Sequence, residues 1–131
     1  YRTEEEEKEG GWAAIEETVW ADDVDGRGSV SDVSILRAFE RARSVVIGGP
    51  HQLKALQDAG SLVVVTSFTN LLIDPQVTCD RLGQQVTCLT AFQRRKAKIS
   101  LQQELWGEAS EEGGRRLMAA AEVTCWVIDA E

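Results

Sequence analysis

Apolar and polar residues alternate with two different periods along this chain, and the two periods divide it into strands and helices. Trp12–Trp20 mixes apolar and acidic residues and predicts a first strand. A long helix is predicted next, with Ser29 as its N-cap and a stop at Gly48, Gly49 and Pro50. Its apolar residues form a broad stripe: Val33, Ile35, Leu36, Ala38, Phe39, Ala42, Val45 and Val46. A stripe of this width predicts a helix that is wrapped by a sheet.

The second half of the chain has mainly the period of strands. His51–Ala59 still has helical spacing and predicts a short second helix. Four strands are predicted after it: Leu62–Ile73, Val86–Gln93, Ala97–Trp106 and Leu117–Ile128. The first of these is apolar and β-branched, which favours a central place in the sheet. The order of strand, long helix, short helix and four strands predicts an α+β fold with an antiparallel sheet covering one helix.

Composition limits the class of protein. The 131 residues fit a single domain, 12–131, preceded by an acidic flexible tail, 1–11. No apolar run is long enough to cross a bilayer, and the net charge of −8 argues against a nucleic-acid surface. Three cysteines without metal or redox spacing predict no metal site and favour the cytoplasm or another reducing compartment. An organelle remains an alternative if a targeting segment once preceded Tyr1.

The segment before the long helix carries the most informative chemistry. Asp22, Asp23 and Asp25 follow the first strand, and Gly28 then allows a sharp bend. Backbone N–H groups of the first helical turn, around Asp32, favour a developing oxyanion. A carboxylate beside them can activate water or act as a nucleophile. On residue type alone, a turn carboxylate that accepts hydrogen bonds from its own loop is the more ordinary role.

A longer pattern includes these aspartates. It reads D-x-D-x-x-G followed by a helix with F-E-x-A-R, at Asp23, Asp25, Gly28, Val30, Leu36, Arg37, Phe39, Glu40, Ala42 and Arg43. Over roughly residues 15–129 the chain resembles hotdog-fold thioesterases of the 4-hydroxybenzoyl-CoA thioesterase type. The resemblance implies a hotdog fold, an antiparallel β-sheet wrapped around a long central α-helix. It also implies Asp25 as catalytic base or nucleophile, Asp23 as its support and the backbone N–H of Asp32 as oxyanion donor.

The substrate implied is an acyl-CoA or acyl-carrier-protein thioester, as in fatty acid metabolism, which is hydrolysed to the free acid. Coenzyme A is then part of the substrate, and no cofactor is implied. Where the family commonly has His-Val-Asn-Asn-x-x-Tyr, this chain has Ser29-Val30-Ser31-Asp32-Val33-Ser34-Ile35. Because these positions border the acyl pocket in relatives, two alternatives stay open. One is a polyketide-type or methylketone-type thioesterase, and the other is a catalytically silent hotdog subunit that binds an acyl group or only assembles.

Candidate contacts to the substrate fall into two groups. The acyl group is expected to contact Gly28, Ser29, Ile35, Leu36 and Phe39. Arg94, Arg95 and Lys96 form a basic patch that suits the phosphates of coenzyme A, although solvated hairpin charges explain it equally well.

The remaining predictions concern assembly and single polar residues. A lone hotdog unit leaves sheet edges unpaired, so a homodimer or homotetramer with the acyl channel at the subunit interface is expected. Glu40 and Arg43 lie three residues apart on the long helix, which favours a helix or subunit contact over chemistry. His51, the single histidine, favours a surface role.

Overall fold

The computed structural model describes residues 12–19, 23–24, 30–74, 85–107 and 114–129. The predicted acidic tail lies outside these residues. The described parts form strands and helices in the predicted order: β1 (Trp12–Thr18), α1 (Asp32–Ile47), α2 (Gly49–Asp58), β2 (Ser61–Ile73), β3 (Gln85–Arg95), β4 (Lys98–Gly107) and β5 (Leu117–Asp129).

All five strands belong to one antiparallel sheet with the order β1-β3-β4-β5-β2. Within this sheet, the long helix α1 packs most closely against β1, β3 and β4. This is the predicted α+β architecture of an antiparallel sheet around a long helix.

The core lies between α1 and the face of the sheet that is turned towards it, here called the inner face. Phe39 and Ala42 of α1 are fully buried there, against alternate residues of the strands, including Leu101 and Val123. Cys88 and Cys125 are buried free thiols, as the sequence predicted for small hydrophobic residues. The prediction that Val33 and Val45 share this buried stripe is wrong. They are 57% and 56% exposed, because the sheet covers a narrower face of the helix than the apolar stripe occupies.

The strand predicted to be central is instead at an edge. Among the described strands, β2 pairs only with β5, so its other side has no neighbour. A run of β-branched residues indicates apolar surroundings, but it does not say how many strands lie beside it. Several apolar side chains of β2 are accordingly between 38% and 65% exposed: Leu62, Val64, Val65, Phe68, Leu71 and Leu72.

The ends of α1 correct one predicted cap and confirm another. The N-cap is Ser31 rather than Ser29, because Ser31 has the extended conformation and its Oγ accepts a hydrogen bond from Ser34 N at 3.2 Å. The predicted stop at Gly48 is confirmed, with φ at 125° and a Cβ there only 2.8 Å from Gln52. Pro50 lies in the first turn of α2, where its missing N–H is no loss.

Candidate active site at the start of the long helix

Backbone pairing fixes the segment that carries the aspartates against the first turn of α1. Ser31 N donates to Asp23 O at 2.9 Å, and Val24 and Val30 form an isolated antiparallel bridge. The predicted catalytic Asp25, together with Gly28 and Ser29, lies outside the described residues. Val24 and Val30, which flank this stretch in the sequence, are nevertheless held together by the bridge beside the helix N-terminus.

The first turn of α1 offers backbone donors. Ser34 N and Ile35 N are both satisfied by Ser31. Within the described residues, the N–H groups of Asp32 and Val33 make no hydrogen bond, and both residues are exposed. Two donors at the positive end of a helix dipole can therefore bind an anionic oxygen.

A small cavity lies directly under this turn. Its lining includes Asp23, Ser34, Ala38, Glu17 and Arg41. The guanidinium of Arg41 donates Nε and Nη2 to the two oxygens of Glu17, each at 2.7 Å. That hydrogen bond is the main cause of the raised pKa of Arg41, and the charge of Asp23 adds to it. Asp23 thus lies in the field of a neighbouring cation, which suits the predicted supporting role.

Sequence reasoning did not single out Glu17 and Arg41. They lie 24 residues apart, on β1 and α1, and no spacing within the sequence connects them. Glu17 and Arg41 meet because β1 lies alongside α1 in the folded chain.

The predicted acyl contacts on α1 divide in two. Ile35 and Phe39 are 3% and 0% exposed, because they pack against the inner face of the sheet and offer almost no surface to a ligand. Leu36 is partly buried and keeps a surface for contact. Of the described apolar residues in the predicted set, Leu36 is therefore the one that keeps appreciable exposed surface.

The basic patch lies at the far end of the sheet. Arg95 and Lys98 close the β3–β4 ladder, and Lys96 has φ at 55° in the turn between them. The helix N-terminus packs at the other end of that ladder, beside Val86 and Leu105. The ten residues of β4 separate the two ends by about 30 Å. One chain therefore does not bring its basic patch and its aspartates together.

Two kinds of feature are absent from the described ranges. No group of three His, Cys, Asp or Glu there could hold a metal ion. No helix there is long and apolar enough to cross a membrane.

No protein-family model matches the sequence, and no curated protein matches it. Solved structures do match. A 1,4-dihydroxy-2-naphthoyl-CoA thioesterase from Synechocystis superposes with a TM-score of 0.74 at 17% identity, over 92% of this chain and 85% of that one. A 4-hydroxybenzoyl-CoA thioesterase gives 0.72 at 14% identity, over 89% and 84%. A hexameric thioesterase from Yersinia pestis gives 0.62 at 16% identity, over 88% and 85%. The chain therefore has the hotdog fold that was predicted.

Proposed function

We propose that this protein is a thioesterase that hydrolyses an acyl-CoA or acyl-carrier-protein thioester to the free acid. The observation that carries the proposal is the pair of unbonded N–H groups of Asp32 and Val33 beside the segment that contains Asp23 and Asp25. An acid and an oxyanion site next to each other are what acyl transfer to water requires. The shared fold with thioesterases supports the same activity.

The reaction follows from these groups. The thioester carbonyl oxygen would accept hydrogen bonds from the two N–H groups, which stabilise the negative charge that develops on it. Asp25 would take a proton from a water molecule as that water attacks the carbonyl carbon. Alternatively, the carboxylate itself would attack and form an anhydride, which water then opens. In both routes the C–S bond breaks. In the first route the leaving thiolate takes the proton that Asp25 removed from the water. In the second route the thiolate takes its proton from solvent, and hydrolysis of the anhydride restores the Asp25 carboxylate.

The proposed reaction centre takes residues from two subunits. If Arg94, Arg95 and Lys96 bind the phosphates of coenzyme A, the distance of about 30 Å to the helix N-terminus exceeds the extended phosphopantetheine arm. The patch would therefore have to serve the reaction centre of another subunit. A homodimer or homotetramer with the acyl channel at its interface fits this requirement. The hexameric assembly of the Yersinia pestis thioesterase shows that the fold can form oligomers.

The silent-subunit alternative is favoured by the loss of the family's His, two Asn and Tyr, which are Ser29, Ser31, Asp32 and Ile35 in this chain. The Ser31 hydroxyl, which replaces an Asn of the family's pattern, is used in capping the helix. A polyketide-type or methylketone-type thioesterase would keep the same chemistry on a different acyl group.

Hydrolysis of a panel of aliphatic and aromatic acyl-CoAs, with wild type and Asp25→Asn, tests the proposal. We expect the variant to lose at least about a hundredfold in turnover, the scale typical of a positioned acid or base. Asp58→Asn is a matched control, since Asp58 lies on α2 in an exposed pair with Lys54. Equal turnover by Asp25→Asn and the control would remove Asp25 from the mechanism. No turnover by the wild type on any substrate would favour the silent subunit.

A further inference from the structure

A buried cation without an anion lies on the face of α1 that is turned towards the sheet. Arg43 is 8% exposed, and within the described residues it forms no ion pair. Its Nη1 donates to Gln103 Oε1 at 3.0 Å, and Gln103 Nε2 in turn donates to Phe39 O and Thr90 Oγ1. Burial is the main cause of the lowered pKa of Arg43, which nevertheless stays charged. Buried charges are normally paired, so this arrangement is incomplete.

The Arg43 guanidinium keeps two donor atoms that are not fully buried. In the described parts of the chain, every fully buried side-chain nitrogen or oxygen has a hydrogen-bond partner. Arg43 Nε and Nη2 make no hydrogen bond, so both must keep some contact with solvent. These two atoms form one edge of the guanidinium, and that edge binds a carboxylate with two parallel hydrogen bonds.

The surroundings of that edge are apolar and uncovered. The Arg43 guanidinium lies 5.3 Å from the centre of the Phe68 ring, and Phe68 is 40% exposed. Val65, also 40% exposed, shares the inner face with Phe68, since they pair with the buried Cys125 and Val123. The long helix α1 packs mainly on β1, β3 and β4, and the Val65 and Phe68 side chains of β2 therefore stay partly exposed.

We propose that Arg43 binds the carboxylate of a small organic acid whose apolar part lies on Phe68 and Val65. An uncharged ligand would leave the Arg43 cation unpaired. A fully polar ligand would make no apolar contact with the exposed Phe68 ring. A carboxylate on an apolar chain satisfies both surfaces.

The inference deepens the proposed thioesterase function and rests on it for the identity of the acid. Arg43 lies eleven residues along α1 from Asp32, roughly 16 Å on the helix axis. An acyl chain that begins at the helix N-terminus and follows β2 would bring a terminal carboxylate to Arg43. A free carboxylic acid, such as the product, has the same chemistry without the thioester. The experiment separates these two sources.

Calorimetric titration with octanoate and with octanol tests binding without any need for turnover. We expect wild type to bind octanoate at least about tenfold more tightly than Arg43→Gln does, since a charge-assisted pair is lost. Octanol should bind both proteins equally. Arg43→Lys keeps the positive charge but lacks the two parallel N–H donors of the guanidinium edge. Its affinity for octanoate should therefore lie between those of Arg43→Gln and wild type. Arg37→Gln, an exposed position on the same helix, is the matched control and should bind like wild type.

Kinetics with suberyl-CoA and octanoyl-CoA identify the source. If KM rises in Arg43→Gln for suberyl-CoA alone, the site takes the terminal carboxylate of the acyl group. If only inhibition by octanoate weakens, it takes the free acid. Carboxylate binding that depends on Arg43 in a protein without thioesterase activity would keep this site and refute the proposed function.

Equal octanoate affinity in wild type and in folded Arg43→Gln would overturn the inference. So would a loss of oligomer mass in Arg43→Gln together with no octanoate binding by wild type. In that case a carboxylate of a second subunit pairs with Arg43.

Discussion

Gln103 shows at the scale of one residue what an alternating pattern can and cannot predict. The period of two in β4 correctly assigns Ile99, Leu101 and Leu105 to the inner face. Gln103 occupies the next position of the same register and is 1% exposed, although it is polar. A glutamine in a core register indicates a buried polar network, but its partners Arg43 and Thr90 come from α1 and β3. Sequence spacing alone therefore could not supply them.

The aspartates give the complementary case. Their order before a helix could be recognised because short-range spacing survives divergence, and a helix N-terminus does lie next to Asp23. The helix cap was misplaced by two residues, since Ser29 and Ser31 are equally good caps by type. The bridge between Val24 and Val30, a tertiary feature, decides between them.

At the same scale, the buried thiol of Cys88 should make stability depend on alkaline pH. Burial raises the pKa of Cys88 to about 12 from 9.0, so the folded state binds its proton more tightly than the unfolded state. The contribution of the neutral Cys88 thiol to the free energy of unfolding is fully present below pH 9, and it is lost as the pH rises towards 12. At pH 10 the expected loss is about 1.4 kcal/mol, a factor of ten in the folding equilibrium.

Urea unfolding of wild type and Cys88→Ala at pH 8 and pH 10 measures this loss. The difference between the two proteins should shrink by that amount, because other titrating groups are common to both. A difference that does not change with pH would contradict a thiol held neutral by the fold.

At the scale of elements, the type and order of the seven helices and strands in the described residues followed from periodicity, because each period is set by local backbone geometry. Which strands lie side by side in the sheet leaves no such local signal in the sequence. The apolar composition of β2 predicted a central strand, but a strand can be apolar because something other than its own sheet covers it. The separation of about 30 Å between the basic hairpin and the helix start depends likewise on the ladder and not on the sequence.

The β3–β4 hairpin can be tested as a phosphate site. Reversing Arg94, Arg95 and Lys96 to Glu should raise KM for acyl-CoA with little change in kcat, because uniform binding is lost. The effect should shrink with added salt, since the patch is exposed. It should be absent for an acyl-N-acetylcysteamine, which lacks the nucleotide. Lys54→Glu on α2 controls for net charge, and an equal response of both substrates would leave the hairpin a solvated turn.

At the scale of the whole molecule, the two edges of the described sheet are unlike. The β1 edge is short and carries Glu16 and Glu17, whereas β2 has 13 residues without a single charge. A long apolar edge without charge invites pairing with another chain. The expected homo-oligomer should therefore form through β2, which would also place the exposed Phe68 at or near the contact.

Charges on each edge distinguish the two possibilities. The double variant Val64→Lys and Leu72→Lys should lower the mass found by light scattering to that of a monomer at micromolar concentration. Ala14→Lys on the exposed part of β1 is the matched control and should leave the mass unchanged. The reverse outcome would assign the interface to β1, and a wild-type monomer with full activity would refute the two-chain site.

The ladder between β2 and β5 determines where residues can be inserted or deleted in β2. Its register shifts between Val65 and Ser67 and again between Thr69 and Leu72, and at each shift β2 holds one residue more than β5. Removing one residue elsewhere in β2 would turn every following side chain to the opposite face. Removing Thr66 would make the ladder regular and leave each neighbour facing as before, with the loss of one exposed hydrogen bond from Thr66 Oγ1 to Thr124 O. Insertions and deletions accepted over evolutionary time in this strand should therefore concentrate at these two places.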